Sequence, residues 1–313
     1  MKLRAYLLML FVVAVWGSTF VVVKGALADA TPAAFNVARM TLAFAVLGVA
    51  YHRYWREIRL WQVGAGAMVG LCLAVGYQFQ TTGLARTTPS KSAFITGLMV
   101  VLVPLLSTIP GLRPPGSKRP RWNAFLGAAL AFIGIVLLTA PAAAQTSATL
   151  MGQTAHLLPD MASINLGDVL TLGCAVGFAF HCVALSHVSP RIGFQPLALL
   201  QVGFCALFMV LSLPLIEHPQ IAWTPRVVAA LGISAVFATA VAFSIQSWVQ
   251  SVLPPTHTAL LLTLEPVFAW ITSFLVMGER LGLRPASGAL LILAGIALTE
   301  LMPQPHLATA HEA

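Results

Sequence analysis

Gly127-Ala128-Ala129-Leu130-Ala131-Phe132-Ile133-Gly134-Ile135-Val136-Leu137 and Gly288-Ala289-Leu290-Leu291-Ile292-Leu293-Ala294-Gly295-Ile296-Ala297-Leu298 are one apolar helical stretch written twice. At an offset of 161 residues they agree at six of eleven positions, both glycines included. A second register, offset by 166, pairs Gln80 with Gln246, Pro89 with Pro255 and Ala93 with Ala259. The offsets differ by five, which fits the additional Pro114–Pro120 loop in the first copy. The chain therefore reads as two related halves of similar length.

Working outward, ten apolar segments appear at roughly 5–28, 32–52, 61–83, 90–110, 121–141, 167–187, 192–216, 226–251, 256–277 and 283–303. Each is near the ~20 residues that cross a bilayer as a helix. Thr31-Pro32, Thr88-Pro89, Arg113-Pro114-Pro115-Gly116 and Pro254-Pro255 punctuate them, as helix breaks should. The predicted fold class is an all-α polytopic membrane protein of ten transmembrane helices. The first repeat is 1–141, a connecting loop 142–166, the second repeat 167–303 and a polar tail 304–313. Five spans is an odd number, so the second copy enters the membrane upside down. Inverted repeats with a site at their interface are a recurrent transporter plan.

Composition agrees. Hydrophobic residues make up 58% of the 313 and charged residues 8%, against roughly a quarter charged in soluble domains. Too few charges remain to cover a water-facing surface, so lipid is an expected partner. The net charge of +8 falls between apolar runs, where it orients a membrane protein and implies no nucleic acid. With the N-terminus inside, ten Lys and Arg fall on the cytoplasmic side and six on the other, Arg39 lying within a span. The expectation is an N-in, C-in protein of a bacterial-type inner membrane. Lys2 and Arg4 before an apolar run resemble a signal peptide, but Ala5 to Val23 exceeds its usual apolar core of about 7–15 residues. A retained first span is expected.

Enzyme signatures are missing from the sequence: no HExxH, no GxSxG, no P-loop. Cys72, Cys174, Cys182 and Cys205 lie in apolar stretches without CxxC spacing, so packed thiols are expected and no metal or cofactor. Without ATP hydrolysis in the chain, transport would draw on a proton or sodium gradient, on exchange with a counter-substrate, or on the substrate's own gradient. A monomer or homodimer is expected.

Candidate site residues are polar groups inside apolar spans, where they are costly unless they face protein or water. Glu265, followed by Pro266, stands near the middle of the ninth segment. Its carboxylate could hold a cationic amine or a coupling proton; the alternatives are a fixed ion pair or a capped kink. Helical spacing sets Thr258, Glu265, Ala269 and Ser273 on one face. Arg39, about 10 Å into the second span at 1.5 Å per residue, could bind a carboxylate bidentately, or else snorkel or pair structurally. Gln80 and Gln246 match across the repeats and would bond substrate or stitch helices; Tyr77 and Gln78 share that choice. Trp16 would stack on substrate or pack, and His181 would relay protons or hold a structural bond. Lys91, beside Pro89, is a site residue or a snorkelling surface lysine. Arg53, Arg56 and Arg59 fit an anchor to anionic lipid heads.

A family resemblance rests on Trp16-Gly17-Ser18-Thr19-Phe20, on Arg39 seven residues after Pro32, and on Pro89-Ser90-Lys91-Ser92-Ala93. In the second half it rests on Pro255-Thr256-His257-Thr258-Ala259, Glu265-Pro266 and Gly278-Glu279-Arg280-Leu281. In their order these motifs resemble the drug/metabolite transporter superfamily, specifically its EamA-type members, over about residues 5–303. The resemblance implies a central cavity enclosed by spans one to four and six to nine, with spans five and ten peripheral. It implies a carrier of small metabolites, with an exporter of amino acids or related compounds as the leading expectation and multidrug, nucleobase or sugar carriage, or lipid handling, as alternatives. One departure stands out: the first repeat has Gly111-Leu112-Arg113 where the second has Gly-Glu-Arg-Leu.

Overall fold

The computed structural model describes residues 2–113, 122–139, 165–252 and 261–301. It is helical throughout these residues apart from connecting turns and one isolated β-bridge. We number the helices α1 (Lys2–Ala26), α2 (Pro32–Ala50), α3 (Leu60–Leu84), α4 (Pro89–Leu106), α5 (Trp122–Thr139), α6 (Leu166–Val188), α7 (Phe194–Ile216), α8 (from Pro225 to Val252), α9 (Glu265–Met277) and α10 (Leu283–Leu301). Seven of them are long and apolar enough to cross a membrane; α5, α9 and α10 are shorter apolar helices. The 142–164 interval, the 304–313 tail and the Pro255–Ala259 motif, Thr258 included, lie outside the described residues.

Local chemistry sets the starts. α2, α4 and α8 begin on Thr-Pro pairs, Thr31-Pro32, Thr88-Pro89 and Thr224-Pro225. Proline suits the first helical position because its absent N–H has no partner there in any case. The Thr88 and Thr224 hydroxyls accept from the N–H groups of Lys91 and Val227, and Asn165 caps α6 in the same way through Gly167.

The repeats pack with two-fold symmetry. α1 lies against α9 as α4 lies against α6, α3 lies against α6 as α8 lies against α1, and α2 crosses α7. The clearest sign is in α5 and α10. A Cβ added to Gly134 would lie 2.6 Å from the Gly288 carbonyl, and one added to Gly295 would lie 2.4 Å from that of Gly127. Under the repeat these contacts are images of each other, as an isologous interface requires. Small residues let the two backbones touch, which is how helices associate where lipid is as apolar as leucine. The outer faces carry Phe125, Phe132, Ile133 and Leu290, all exposed, so this pair stands at the periphery.

Two helices depart from the continuous spans expected. α4 breaks at Gly97-Leu98 into Pro89–Thr96 and Met99–Leu106. The chain around α9 turns at Thr263-Leu264 and restarts at Glu265. Both turns tighten to i−3 bonds, from Leu98 to Ile95 (3.1 Å) and from Leu264 to Leu261 (3.1 Å). They sit one repeat apart and face each other, a Cβ on Gly97 lying 3.2 Å from Pro266 Cγ. The cause at the second break is Pro266, which cannot donate to the carbonyl a turn back.

The end of α9 explains the motif missing from the first repeat. Gly278, at φ 67°, closes the helix in the left-handed conformation, where glycine carries no Cβ penalty. The next residue, Glu279, accepts from Ser273 Oγ (2.5 Å) and Ser90 Oγ (2.8 Å), tying α9 to the start of α4. In the first repeat Gly111 is also left-handed, at φ 89°, but Arg113 donates to Ser107 O (3.2 Å) in its own helix end. An acid is used once and a base once. Glu279→Ala orphans two buried hydroxyls and is expected to lower stability by about 1–3 kcal/mol, read as an earlier thermal transition with Arg280→Ala as control.

Candidate functional site

One cavity lies between the repeats. It is lined by Trp16 and Phe20 of α1, Arg39 of α2, Tyr77 and Gln80 of α3, Phe178 and His181 of α6, Phe243 and Gln246 of α8, and Glu265 of α9, with Thr96 and Met99 flanking the α4 break. Seven of the eight residues singled out in the sequence therefore meet in one place. Lys91 does not line it. Its ammonium stands 3.8 Å from Asp168 at the start of α6, where Thr87 also donates to the same carboxylate.

The cavity offers about 70 Å³ to the centres of water molecules, room for roughly five at about 10–15 Å³ each. It extends past Val23 and Leu84 toward the end of the bundle where Lys24 donates to the carbonyls of Leu84 (2.9 Å) and Ala85 (3.0 Å). Toward the other end, below α2, aromatic groups close the bundle. Tyr51 donates to Ser244 Oγ at 2.8 Å, and its ring meets Tyr54 and Phe194 edge-on at 6.2 and 6.5 Å.

Arg39 is buried, 3% exposed. Its Nε donates to Thr239 Oγ1 (3.1 Å), its Nη2 to Tyr77 Oη (3.3 Å), and its Cζ stands 4.5 Å from the centre of the Tyr77 ring. Among the described residues no carboxylate lies within 4.0 Å of the guanidinium. That leaves a fixed cation in a low-dielectric cavity with donors to spare, an unstable arrangement unless an anion or water completes it.

The helix break puts Glu265 at the first turn of α9. Its carboxyl makes no hydrogen bond or ion pair among the described residues and is half-buried because one side faces the cavity. The backbone behind it is held close by α1. A Cβ on Gly17 would lie 2.6 Å from the Glu265 carbonyl oxygen, so Gly17 lets the two backbones approach closely. Ser18 Oγ and Thr272 Oγ1, 3.2 Å apart, extend the same seam.

Gln246 is 6% exposed and its Oε1 has no donor. An unsatisfied buried carbonyl costs about 1–3 kcal/mol, which a bound N–H group would recover. Gln80 is half-buried on the facing wall. His181 donates from Nε2 to Gln201 Oε1 (2.9 Å), and its ring stands edge-on to Phe243. Gln78 Oε1 accepts from Asn36 (2.6 Å), a helix-stitching bond between α2 and α3.

Sequence reading missed the element that holds this site together. Within α8, residues Ile233–Val241 form a π-helix, a rare form that recurs at functional sites. Thr239 Oγ1 donates back five residues to Ser234 O (2.8 Å) while accepting from Arg39. The neighbouring Ala238 carbonyl accepts from Trp16 Nε1 at 2.8 Å, so the indole is pinned at the cavity wall, 5.7 Å from Phe243. The signal was faint: Ser234 and Thr239 are two hydroxyls in an otherwise apolar run.

Residues 3–140 and 165–301 each match the model of the EamA-like transporter family. A protein of Archaeoglobus fulgidus described as an uncharacterized transporter is 31% identical over 300 residues, covering 96% of this chain and 87% of that one. A solved crystal structure aligns with a TM-score of 0.59 over 95% of this chain and 96% of its own at 18% identity, which shows a shared fold.

Proposed function

Since the chain belongs to the EamA-like transporter family and is a membrane transporter, we propose that it exports amino acids or related small zwitterions as a secondary carrier. The observation that carries this reading is the pair of unpartnered groups, the Arg39 guanidinium and the Glu265 carboxyl, lining one cavity. Arg39 would take the substrate carboxylate in a bidentate fork. Glu265 and the orphan carbonyl of Gln246 would take its ammonium. A space of about 70 Å³ suits a compact metabolite more than a drug-sized one, whose pockets run about 300–1,000 Å³.

Transport would follow by rocking of the two repeats about the fixed site, with the broken helices α4 and α9 re-aiming Met99 and Glu265 as they move. With the N-terminus in the cytoplasm of a bacterial-type inner membrane, the Tyr51 closure is cytoplasmic and the cavity runs outward. A proton or a counter-substrate on Glu265 would reset the empty carrier. A second reading has its own support: the walls Trp16, Phe20, Tyr77, Phe178 and Phe243 would stack on a planar nucleobase.

Ligand-dependent thermal stabilisation of the purified protein against amino acids, nucleobases, sugars and cationic drugs tests both. A ligand at a hundred times its Kd adds about 2.7 kcal/mol to the folded state. The expected result is a shift with one group of amino acids that Glu265→Gln loses. A shift with nucleobases alone, kept by Glu265→Gln, would replace the zwitterion reading with the second.

A further inference from the structure

The two-fold axis relates two fastenings between the repeats, one at each end of the bundle, and they are made differently. At the α1–α2 end the turn before Thr31 meets the α7–α8 connection. Ala30 and Ile221 form a β-bridge, Ala34 N donates to Glu217 Oε1 (2.8 Å), and Asp29 takes Thr224 Oγ1 (3.0 Å) and Arg226 (3.9 Å). Carboxylates of this chain serve every charged contact there.

The image of this fastening is the segment from Tyr51 to Arg59, a 3₁₀ turn over His52–Glu57, against the α6–α7 loop. Gln195 donates to Tyr54 Oη at 3.2 Å across that boundary. Beside it lies a polar notch lined by Arg56, Glu57, Arg59, Trp61 and Gln62 of the first repeat and Arg191 of the second. Three guanidinium groups face one carboxylate, and no ion pair within 4.0 Å joins any of them among the described residues. Arg53 adds a further cation on the same turn. What Asp29 and Glu217 supply at one end is missing at the other.

We propose that this notch binds the phosphate of an anionic phospholipid, which bridges the two repeats where no acid of the chain pairs with the three arginines. Planar guanidinium forks match phosphate oxygens in geometry as well as charge. The lipid source follows from the surroundings. Trp55 and Trp61 are about half exposed and Leu60 is 89% exposed, an aromatic and aliphatic edge of the kind that sits at headgroup level. A phosphate held there contacts Arg56 and Arg59 on one side and Arg191 on the other, so it fastens one repeat to the other.

The test is native mass spectrometry of the full-length protein released from nanodiscs of phosphatidylcholine with phosphatidylglycerol. Wild type is expected to retain phosphatidylglycerol at least about tenfold over phosphatidylcholine. Arg191→Gln alone, and Arg56→Gln with Arg59→Gln, should each lose most of that preference, while Arg280→Gln, equal in net charge to Arg191→Gln and at the opposite end, keeps it. All of these arginines are exposed, and unchanged thermal transitions in pure phosphatidylcholine verify that the variants fold. Equal retention by wild type and Arg191→Gln overturns the proposal. Displacement of the lipid by millimolar inorganic phosphate overturns its lipid source and leaves a soluble phosphate ester as the occupant.

Discussion

Arg39→Met is expected to fold, reach the membrane and lose transport of whatever ligand stabilises the wild-type protein. Methionine fills a similar volume, and exchanging a buried, uncompensated charge for an apolar side chain is often neutral or favourable for stability. The thermal transition without ligand should therefore hold or rise. The ligand response should not survive. A hydrogen bond to a charged group contributes about 1.5–3 kcal/mol, so loss of the fork predicts affinity weaker by about 10- to 150-fold. Thr239→Val separates the roles, because it removes the Nε contact of 3.1 Å and leaves the charge in place. It should cost far less affinity than Arg39→Met. Proteoliposome flux and ligand-induced stabilisation, measured on both variants, read the difference; full flux in Arg39→Met would show that the cation serves the bundle and not the substrate.

The second large effect lies far from the cavity. Gly134→Leu drives a side chain into a backbone, since even its Cβ would sit 2.6 Å from the Gly288 carbonyl oxygen and 2.9 Å from the Ile292 nitrogen. Backbone cannot move aside as a flexible side chain can. A cost of about 3 kcal/mol or more is expected, seen as a thermal transition lower by at least about 5 °C. Gly295→Leu meets Gly127 through the symmetric contact, at 2.4 Å, and should cost as much. Gly64→Leu, with nothing within 4 Å of its added Cβ, is the control that should leave the transition almost unmoved. If the symmetric pair behaved unequally, the two-fold packing of α5 and α10 would not be what holds them.

The architecture was legible because symmetry writes itself into spacing. The glycines at 127, 134, 288 and 295 match in sequence for the same reason they touch in space. The cavity was legible one residue at a time, since a polar group in an apolar run has few places to point. That rule separates Arg39, Glu265 and Gln246, which line the cavity, from Lys91, whose partner Asp168 lies 77 positions along the chain and leaves no local trace. Asn36 and Gln201, both fully buried, obey the same rule and were passed over. The π-helix was illegible for a different reason. Apolar periodicity reports which face is buried and not which carbonyl each N–H meets, so a mostly apolar run of nine residues reads alike in either ladder. Glu265 lies within its apolar segment, but apolar patterning does not show the turn at Thr263-Leu264 that makes it the start of a helix.

The fastening of Ala30 to Ile221 carries an implication for inheritance. Thr31 N donates to Gln220 O (2.9 Å) and Ala222 N to Asp29 O (2.8 Å), bonds that every residue but proline can make. That backbone part of the seam imposes almost no spelling on Ala30, Gln220, Ile221 and Ala222, whereas Asp29, Glu217 and Thr224 hold through their side chains. The backbone-held positions can drift through nearly any composition while the repeats stay buttoned, and kinship between distant members of this lineage should fade there first and last longest at the two acids.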